Sequence, residues 1–379
     1  MMNKIVILTS GHYCTDERLF YKIGRSLSNN NFEVHIVSSL YKINETKNNT
    51  KLTGFTGNNL PRKEKINLFF KHVNEIKPGL ILCAEILPII PALKFKKNNP
   101  GCKIIYDVTE WYPENMTRNL TGIKKIIKYI LLYLSSFYLI KKTDAVIVGE
   151  KRKLKRIDFF AQSKPKTIIP YYPPLSLFNY SPPPFKGEKI TFCFTGHLNE
   201  ERGILRFAEV IKLLATRHQE INFNVKLIGR FDSHVTQNNF KKVIAGLKNI
   251  QIKIIEWLDY ENISSALSDV DICFDLRNKK FFFNNSLPIK LFEYMACGKP
   301  VIYSDIDAIL DEFQSNEFGY FVDPFNKEEI ANKIENYLTD KKLLRTHSEC
   351  GRQLAETKYN WEVVENKLLD FINTVLRDA

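Results

Sequence analysis

Short, almost unbroken apolar runs alternate along this chain with longer segments whose apolar residues recur at helical spacing. In the first half the runs are KIVILTS (4–10), EVHIVS (33–38), LILCA (80–84), KIIYDV (103–108) and AVIVG (145–149). Each has the length and branched-residue content of a strand covered on both faces. Segments 16–29, 62–76, 122–142 and 150–161 lie between or after them and carry helical spacing, so the unit is βαβ and the sheet parallel. The texture breaks at 170–187, PYYPPLSLFNYSPPPFKG, where six prolines in eighteen residues exclude a helix interior or a central strand. This stretch reads as a linker. The alternation then restarts with KITFCFTG (189–196), INFNVKLIG (221–229), IQIKIIEW (250–257), DICFDL (271–276), PVIYSD (300–305) and GYFVD (319–323), and the chain closes on helical stretches at 341–357 and 361–377. The pattern predicts an α/β fold of two doubly wound, Rossmann-like domains facing across a cleft: 1–175 and 176–359, with the last helix, about 360–379, a candidate to pack back on the first. Ligands on such sheets gather beyond the carboxyl ends of the strands, so those ends are where site residues are sought.

Composition changes this picture little. A chain of 379 residues with 44% hydrophobic and 26% charged residues can bury two cores and is not disordered. Its seven cysteines show no metal-like spacing and mostly sit inside apolar runs, which predicts buried thiols, no disulfides and no zinc. The N-terminus opens on a strand rather than a signal peptide, which points to the cytoplasm. Charge is more informative. The net charge is +13, and between Arg118 and Arg156 eleven Lys and Arg face only Asp144 and Glu150. Such a local basic field calls for an acidic partner.

The segment richest in chemistry is NNSLPIKLFEYMACGKPVIYSD (284–305). Its spacing predicts a helix from about Pro288 to Ala296, ended by Gly298 and followed by a strand. A helix start at a strand's carboxyl end offers backbone N–H groups to a diphosphate. Glu293, two turns in, suits a vicinal diol such as a ribose, or else is a solvated or ion-paired helix residue. A second segment, FTGHLNEERGILRFAEVIKLL (194–214), gives strand, glycine loop and helix. A third, KLIGRFDSH (226–234), precedes IIEWLDYENISSALSDVDICFDLR (254–277).

These segments resemble the donor-binding half of the family 4 retaining glycosyltransferases, which have the GT-B fold. The resemblance covers nearly the whole chain and is strongest over 189–340. It implies a nucleoside-diphosphate sugar donor, UDP- or GDP-linked, no further cofactor and no metal. Glu293 then holds the ribose hydroxyls. Arg202 and Lys290 neutralise the diphosphate, beside Gly196, His197 and Gly203. Gly229 and Arg230 lie near the base, and Asn285, Ser286 and Leu287 lead into the donor helix. Asn285 stands where the family has its first acid, and so supplies no negative charge. Asp305-Ile306-Asp307 spells a metal motif but follows the donor helix, where this family holds none.

In the first half, TSGHYCTDERLFYKIGRSL (9–27) places Asp16 as an N-cap and Arg18 in the first helical turn, with Gly11 and His12 in the preceding loop. It resembles an Asp-x-Arg pattern of some family members, which implies ligand contacts for Gly11, His12 and Arg18. YDVTEWYPEN (106–115) keeps Asp107 and Glu110 but has Thr109 where relatives have a histidine beside the sugar, and Tyr171 replaces a family asparagine. The implied activity is retaining transfer, with Thr109 and Glu110 near the reacting groups. The implied acceptor is a lipid-linked or cell-surface saccharide. A catalytically weak partner subunit of polysaccharide assembly and a sugar-nucleotide epimerase are the alternatives. Nucleic acid is not an expected partner, since no recognition motif accompanies the basic stretch.

Residues 122–142, GIKKIIKYILLYLSSFYLIKK, are apolar with lysines at both ends. They form either a buried helix of the first domain or a helix lying in a membrane interface, with 122–156 against anionic lipid. The second reading puts the protein at the inner face of the membrane.

Overall fold

The computed structural model describes residues 4–377. The chain divides into two compact units, 1–171 with 364–379, and 172–363. The first therefore ends at Tyr171 rather than at 175. The C-terminal helix Trp361–Arg377 is shared out at Val364, with most of its length counted in the first unit.

The first unit is built on an eight-stranded sheet of order β3-β4-β2-β1-β5-β6-β7-β8. Its strands are β1 (Lys4–Thr9), β2 (Glu33–Ser38), β3 (Ile43–Lys47), β4 (Thr50–Gly54), β5 (Leu80–Cys83), β6 (Lys103–Val108), β7 (Ala145–Val148) and β8 (Lys166–Ile168). All neighbours pair in parallel except β3 and β4. The strands expected from apolar runs fall within a residue or so of their predicted bounds. The hairpin β3–β4 was not anticipated: its strands read INETK and TKLTG, and β3 is an exposed edge with no apolar run to announce it. The core side chains Val6, Leu8, Ile81, Ile104, Val146 and Val148 project from the central strands onto Phe69, Val73, Ile89 and Phe95 of the flanking helices.

The start of the first helix departs from expectation. A π-helical turn spans Leu19–Gly24 before α-helical Arg25–Asn29, with Ile23 N–H donating to the Arg18 carbonyl. The glycine matters here, because a Cβ on Gly24 would press on the Leu19 carbonyl oxygen.

The second unit carries a six-stranded parallel sheet of order β11-β10-β9-β12-β13-β14. These are β9 (Lys189–Thr195), β10 (Asn222–Ile228), β11 (Ile250–Ile255), β12 (Ile272–Asp275), β13 (Val301–Ser304) and β14 (Gly319–Val322). The chain runs outward from β9 through β10 to β11, then returns to the other side of β9. The order thus reverses between β9 and β12, the switch point where doubly wound sheets open a crevice for ligand. In the first unit the same reversal lies between β1 and β5. The seven cysteines are unpaired, and all but Cys350 are buried.

Candidate functional site

At the switch point of the second unit, β9 ends in Thr195 and the chain turns at Gly196, whose φ of +93° is left-handed backbone that glycine adopts without penalty. Gly196 N–H donates to the Ile228 carbonyl at 2.7 Å, and Leu198 N–H to the Arg230 carbonyl at 2.9 Å, so the loops after β9 and β10 are tied together. They lie so close that a Cβ on Gly229 would collide with the Gly196 carbonyl. The loop after β9 ends at Gly203 (φ +90°), which precedes helix Ile204–Arg217, and a Cβ there would strike the Leu276 carbonyl beyond β12. These glycines therefore let the loops after β9, β10 and β12 approach one another backbone to backbone.

Two cations lie over that backbone. Lys290, in the first turn of helix Ile289–Ala296, donates its Nζ to the Thr195 carbonyl and lies directly above Gly196. An Arg202 Nη1 comes within 4.0 Å of the same point, its backbone N–H held by Asn199 Oδ1 at 2.9 Å. Burial pushes the Lys290 ammonium down to about 7, with Arg202 acting in the same sense, Asp275 opposing it, Arg277 adding to it and Glu293 opposing. A half-buried ammonium and guanidinium, held together before any anion arrives, carry a repulsion that a diphosphate would relieve. Glu293 lies one turn beyond Lys290 on the same helix and is buried.

The helix itself is cut to length by its sequence. Pro288 is its N-cap, and at the far end Gly298 (φ +68°) donates to the Met295 carbonyl while Lys299 N–H reaches the Tyr294 carbonyl at 2.8 Å. This is the Schellman arrangement, and it satisfies two of the helix's last carbonyls. Thr195 and Tyr294 hydroxyls bond at 2.6 Å, which fixes the helix against the end of β9.

The remaining expected residues of this unit are dispersed around the crevice. His197 is exposed on the loop after β9. Arg230 is also exposed, with its guanidinium 5.8 Å from the Trp257 ring at the ends of β10 and β11. Asn285 turns its amide back onto the Phe281 carbonyl at 2.7 Å, and Ser286 and Leu287 run into Pro288. Asp305 is ion-paired with Lys279, and Asp307 accepts from Asn284 at 2.7 Å.

The loop after β1 in the first unit is organised around Glu85, which lies two residues beyond β5 and was not anticipated. Its carboxylate accepts from Thr9 Oγ1 at 2.7 Å, Ser10 N–H at 2.8 Å and Gly11 N–H at 3.1 Å. His12 stands beside it, Nδ1 at 3.0 Å from Asp16 Oδ2 and Nε2 at 3.5 Å from Glu85 Oε1. Burial opposes a charge on His12, but Asp16, then Glu85 and Glu110, outweigh it and raise the imidazole to about 10, so it is an imidazolium at neutral pH. Asp16 also caps the turn as expected, accepting from the Arg18 and Leu19 amides.

Arg18 has a different place from the one expected. It is buried, bidentate on Asp107 at 2.7 and 2.8 Å, donates to the Ile169 carbonyl at 3.0 Å, and lies 4.1 Å over the Tyr171 ring. Its donors serve the interior of the unit rather than a ligand. Thr109 likewise gives its hydroxyl to the Ala84 carbonyl at 2.8 Å, while its own carbonyl accepts from Lys153 at 2.8 Å. Glu110 is exposed and bonded by Asn115.

Sequence reasoning missed a second group, the buried pair Asp275–Arg277 at the end of β12. Arg277 Nε donates to Asp275 Oδ1 at 2.9 Å, and the guanidinium lies between the Phe283 and Tyr303 rings, 5.2 Å from each. The signal was an aspartate inside the apolar run DICFDL, which needs a cationic partner to be buried.

Helix Gly122–Lys142 is amphipathic twice over. Ser136, Leu139 and Ile140 are buried on the unit, whereas Ile123, Ile126, Ile127, Ile130, Leu131, Leu134 and Tyr138 are more than half exposed and fall on one face at helical spacing. Among the described residues no helix is long and apolar enough to cross a membrane.

Comparison with known proteins agrees with this geometry. Residues 179–354 match the family model described as Glycosyl transferases group 1. The capsular polysaccharide biosynthesis glycosyltransferase CapM of Staphylococcus aureus is 21% identical over 386 residues, 93% of either chain. Among solved structures, the sucrose-phosphate synthase of Thermosynechococcus elongatus superposes with a TM-score of 0.77 at 15% identity over 100% of both chains. Anabaena Alr3699/HepE, solved with UDP and glucose, gives 0.69 at 12% identity over 98% of this chain and 100% of its own. The segment that carries Gly196, Arg202, Lys290 and Glu293 thus matches the glycosyl transferases group 1 model, in a chain whose two Rossmann-like sheets have the GT-B fold.

Proposed function

We propose that the protein is a retaining, metal-independent glycosyltransferase of family 4. It moves a sugar from a UDP- or GDP-sugar to a lipid-linked or cell-surface saccharide, as in capsule or lipopolysaccharide assembly, at the cytoplasmic face of a membrane. The observation that carries this reading is the meeting of Lys290 and Arg202 over the bare backbone of Gly196, one helical turn from buried Glu293. As the bond from the anomeric carbon to the diphosphate oxygen breaks, charge grows on that oxygen, and these cations stand ready to stabilise it. The acceptor hydroxyl approaches from the face the diphosphate leaves; its oxygen bonds to the anomeric carbon and its proton passes to the departing diphosphate oxygen. Glu293 binds the ribose diol, and Gly229 with Arg230 and Trp257 flank the base. CapM's part in capsular polysaccharide biosynthesis and the UDP bound to HepE support the acceptor class and one donor class.

Calorimetry with UDP, GDP and ADP tests the donor site. One nucleotide should bind saturably, and Glu293→Ala should weaken it by about 10- to 100-fold, the worth of ~1.5–3 kcal/mol for hydrogen bonds to a charged group. Binding of none of the three would overturn the transferase reading and favour a partner subunit.

The outward face of helix Gly122–Lys142 supports the membrane placement. Its apolar stripe is accompanied by exposed Lys124, Lys141 and Lys142 and by Lys151 and Lys155 of helix Lys151–Phe160. Burying such side chains at ~1.5–3 kcal/mol each is enough for reversible binding, and each lysine near an anionic surface adds about 1 kcal/mol. The protein should sediment with phosphatidylglycerol-containing vesicles and less so at high salt. Ile127→Asp with Leu131→Asp should reduce this at least about tenfold. Unchanged sedimentation of the double variant would sink the assignment.

A further inference from the structure

The buried pair Asp275–Arg277 borders Lys290 and Arg202 and has no part in the roles above. Its place is set by strand register. Phe274 of β12 pairs with Phe194 of β9, so Asp275 and Thr195, the last residues of the two strands, stand side by side at about 4.8 Å, the spacing of neighbouring strands. Thr195 is the residue whose carbonyl holds the Lys290 ammonium. Arg277 is linked to the other cation through a shared ring: Phe283 lies 5.2 Å from its guanidinium and 5.9 Å from that of Arg202. The segment is pinned from both sides. Arg206 donates Nε and Nη2 to the Leu276 carbonyl at 2.9 and 2.6 Å, and Ser304 Oγ donates to the Arg277 carbonyl at 2.7 Å. Asp275 and Arg277 are 1% and 5% exposed, so little water screens either charge.

A fixed, poorly screened ion pair beside a titrating lysine acts on it through both of its ends. The charged groups that bear on Lys290 are Arg202 from the loop after β9, Asp275 and Arg277 from the end of β12, and Glu293 from its own helix. Burial, then Arg202, disfavours the ammonium; Asp275 opposes them, Arg277 adds to them and Glu293 opposes. Asp275 itself stays ionised. Burial works against its charge, but Arg277, Lys290 and Arg202 outweigh burial and hold the carboxyl below its usual range. We propose that Asp275 and Arg277 are positioning residues for the donor diphosphate and act on the charge of Lys290 in opposite senses. The carboxylate keeps the ammonium available, and the guanidinium weakens it, so that a proton is taken up as the diphosphate arrives. This rests on the transferase reading and deepens its donor site. A pair that served packing alone would act in neither sense.

Competitive acetylation of the full chain with trace acetic anhydride, read at Lys290 by peptide mass spectrometry, gives the midpoint of its deprotonation without any ligand. The wild type should titrate near pH 7. Asp275→Asn should move the midpoint down and Arg277→Gln should move it up, each by about one unit. The double variant should return it toward the wild type. Affinity for whichever of UDP, GDP and ADP binds should follow. Its ratio between pH 6 and pH 8 should widen about fivefold in Asp275→Asn and narrow about fivefold in Arg277→Gln, the nucleotide's own ionisation being common to all. A purely structural pair gives both single variants the same sign, because each breaks the same contact. Circular dichroism checks the fold. Arg277→Gln leaves a buried carboxylate unpaired; if it does not fold, Asp275→Asn against the double variant decides, and a double variant with no higher midpoint overturns the proposal. Shifts of one sign, no shift, or a Lys290 still fully charged at pH 9 would overturn it as well. Opposite shifts with no nucleotide bound would remove the transferase reading and leave the control of Lys290 standing. Nucleotide bound without opposite shifts would remove this inference alone.

Discussion

Lys290→Ala is expected to lower the turnover of sugar transfer by about 10²- to 10³-fold, the typical cost of removing one donor aimed at developing charge. The geometry says why this lysine should matter more than an exposed one. Its ammonium is half-buried, held by the Thr195 carbonyl above Gly196 and beside Arg202. A pH dependence follows. The groups facing Lys290 are Arg202, Asp275, Arg277 and Glu293, and burial with its cationic neighbours brings it down to about 7. A bound diphosphate favours the ammonium and raises that value, so binding above neutrality must take up a proton. Donor affinity should therefore be full below pH 7 and fall as pH rises through it, by up to tenfold per unit, until the pKa of the bound state is reached. Calorimetry of a UDP- or GDP-sugar near pH 8 in buffers of different ionisation heat should show uptake approaching one proton, and Lys290→Ala should abolish it. A pH-independent affinity with no proton uptake would place the ammonium away from the phosphates.

The second large effect is on stability. Arg18→Met leaves the Asp107 carboxylate buried without its bidentate partner, and removing one member of such a pair costs about 3–5 kcal/mol. For a unit of this size that is a fall on the order of 10 °C in its melting transition. Arg18→Lys should not rescue it, because a point-charge ammonium cannot hold both carboxylate oxygens while donating to the Ile169 carbonyl. Replacing both partners, with Arg18→Met and Asp107→Leu, should recover much of the loss. Trp111 fluorescence reads the first unit and nucleotide binding reads the second. A change confined to nucleotide affinity, with melting unaltered, would show that Arg18 faces a ligand after all.

The frame of both units was legible because each inner strand is an apolar run and each major helix keeps its period. The lapses fall where that logic stops. The edge strand β3 is exposed and polar, and β4 buries only Thr50, Leu52 and Gly54 with no apolar run, so nothing in INETK or TKLTG marks a strand. Around the site, motif resemblance placed Lys290, Arg202 and Glu293 in one neighbourhood of the second unit, where the structure brings the two cations together over Gly196. It could not tell whether Arg18 points outward or inward. That depends on Asp107, 89 residues away, just as the part played by Glu85 depends on amides 74 and 75 residues before it. Partners distant in sequence are set by the sheet order, and local spacing carries no record of them.

The donor helix also bears on redesign. Pro288 starts it, Gly298 ends it, and a Cβ at Gly298 would collide with the Tyr180 ring. These positions obey folding grammar and say nothing about which sugar or base is bound. Leu291, Phe292, Tyr294, Met295 and Ala296 are buried and answer to packing. The stretch that looks richest in signature is therefore mostly scaffold, and its chemical vocabulary is two letters, Lys290 and Glu293. An engineer seeking a new donor would leave the signature intact and vary the loops around it, at His197, Arg230 and Trp257, where side chains are exposed and substitutions leave the fold alone.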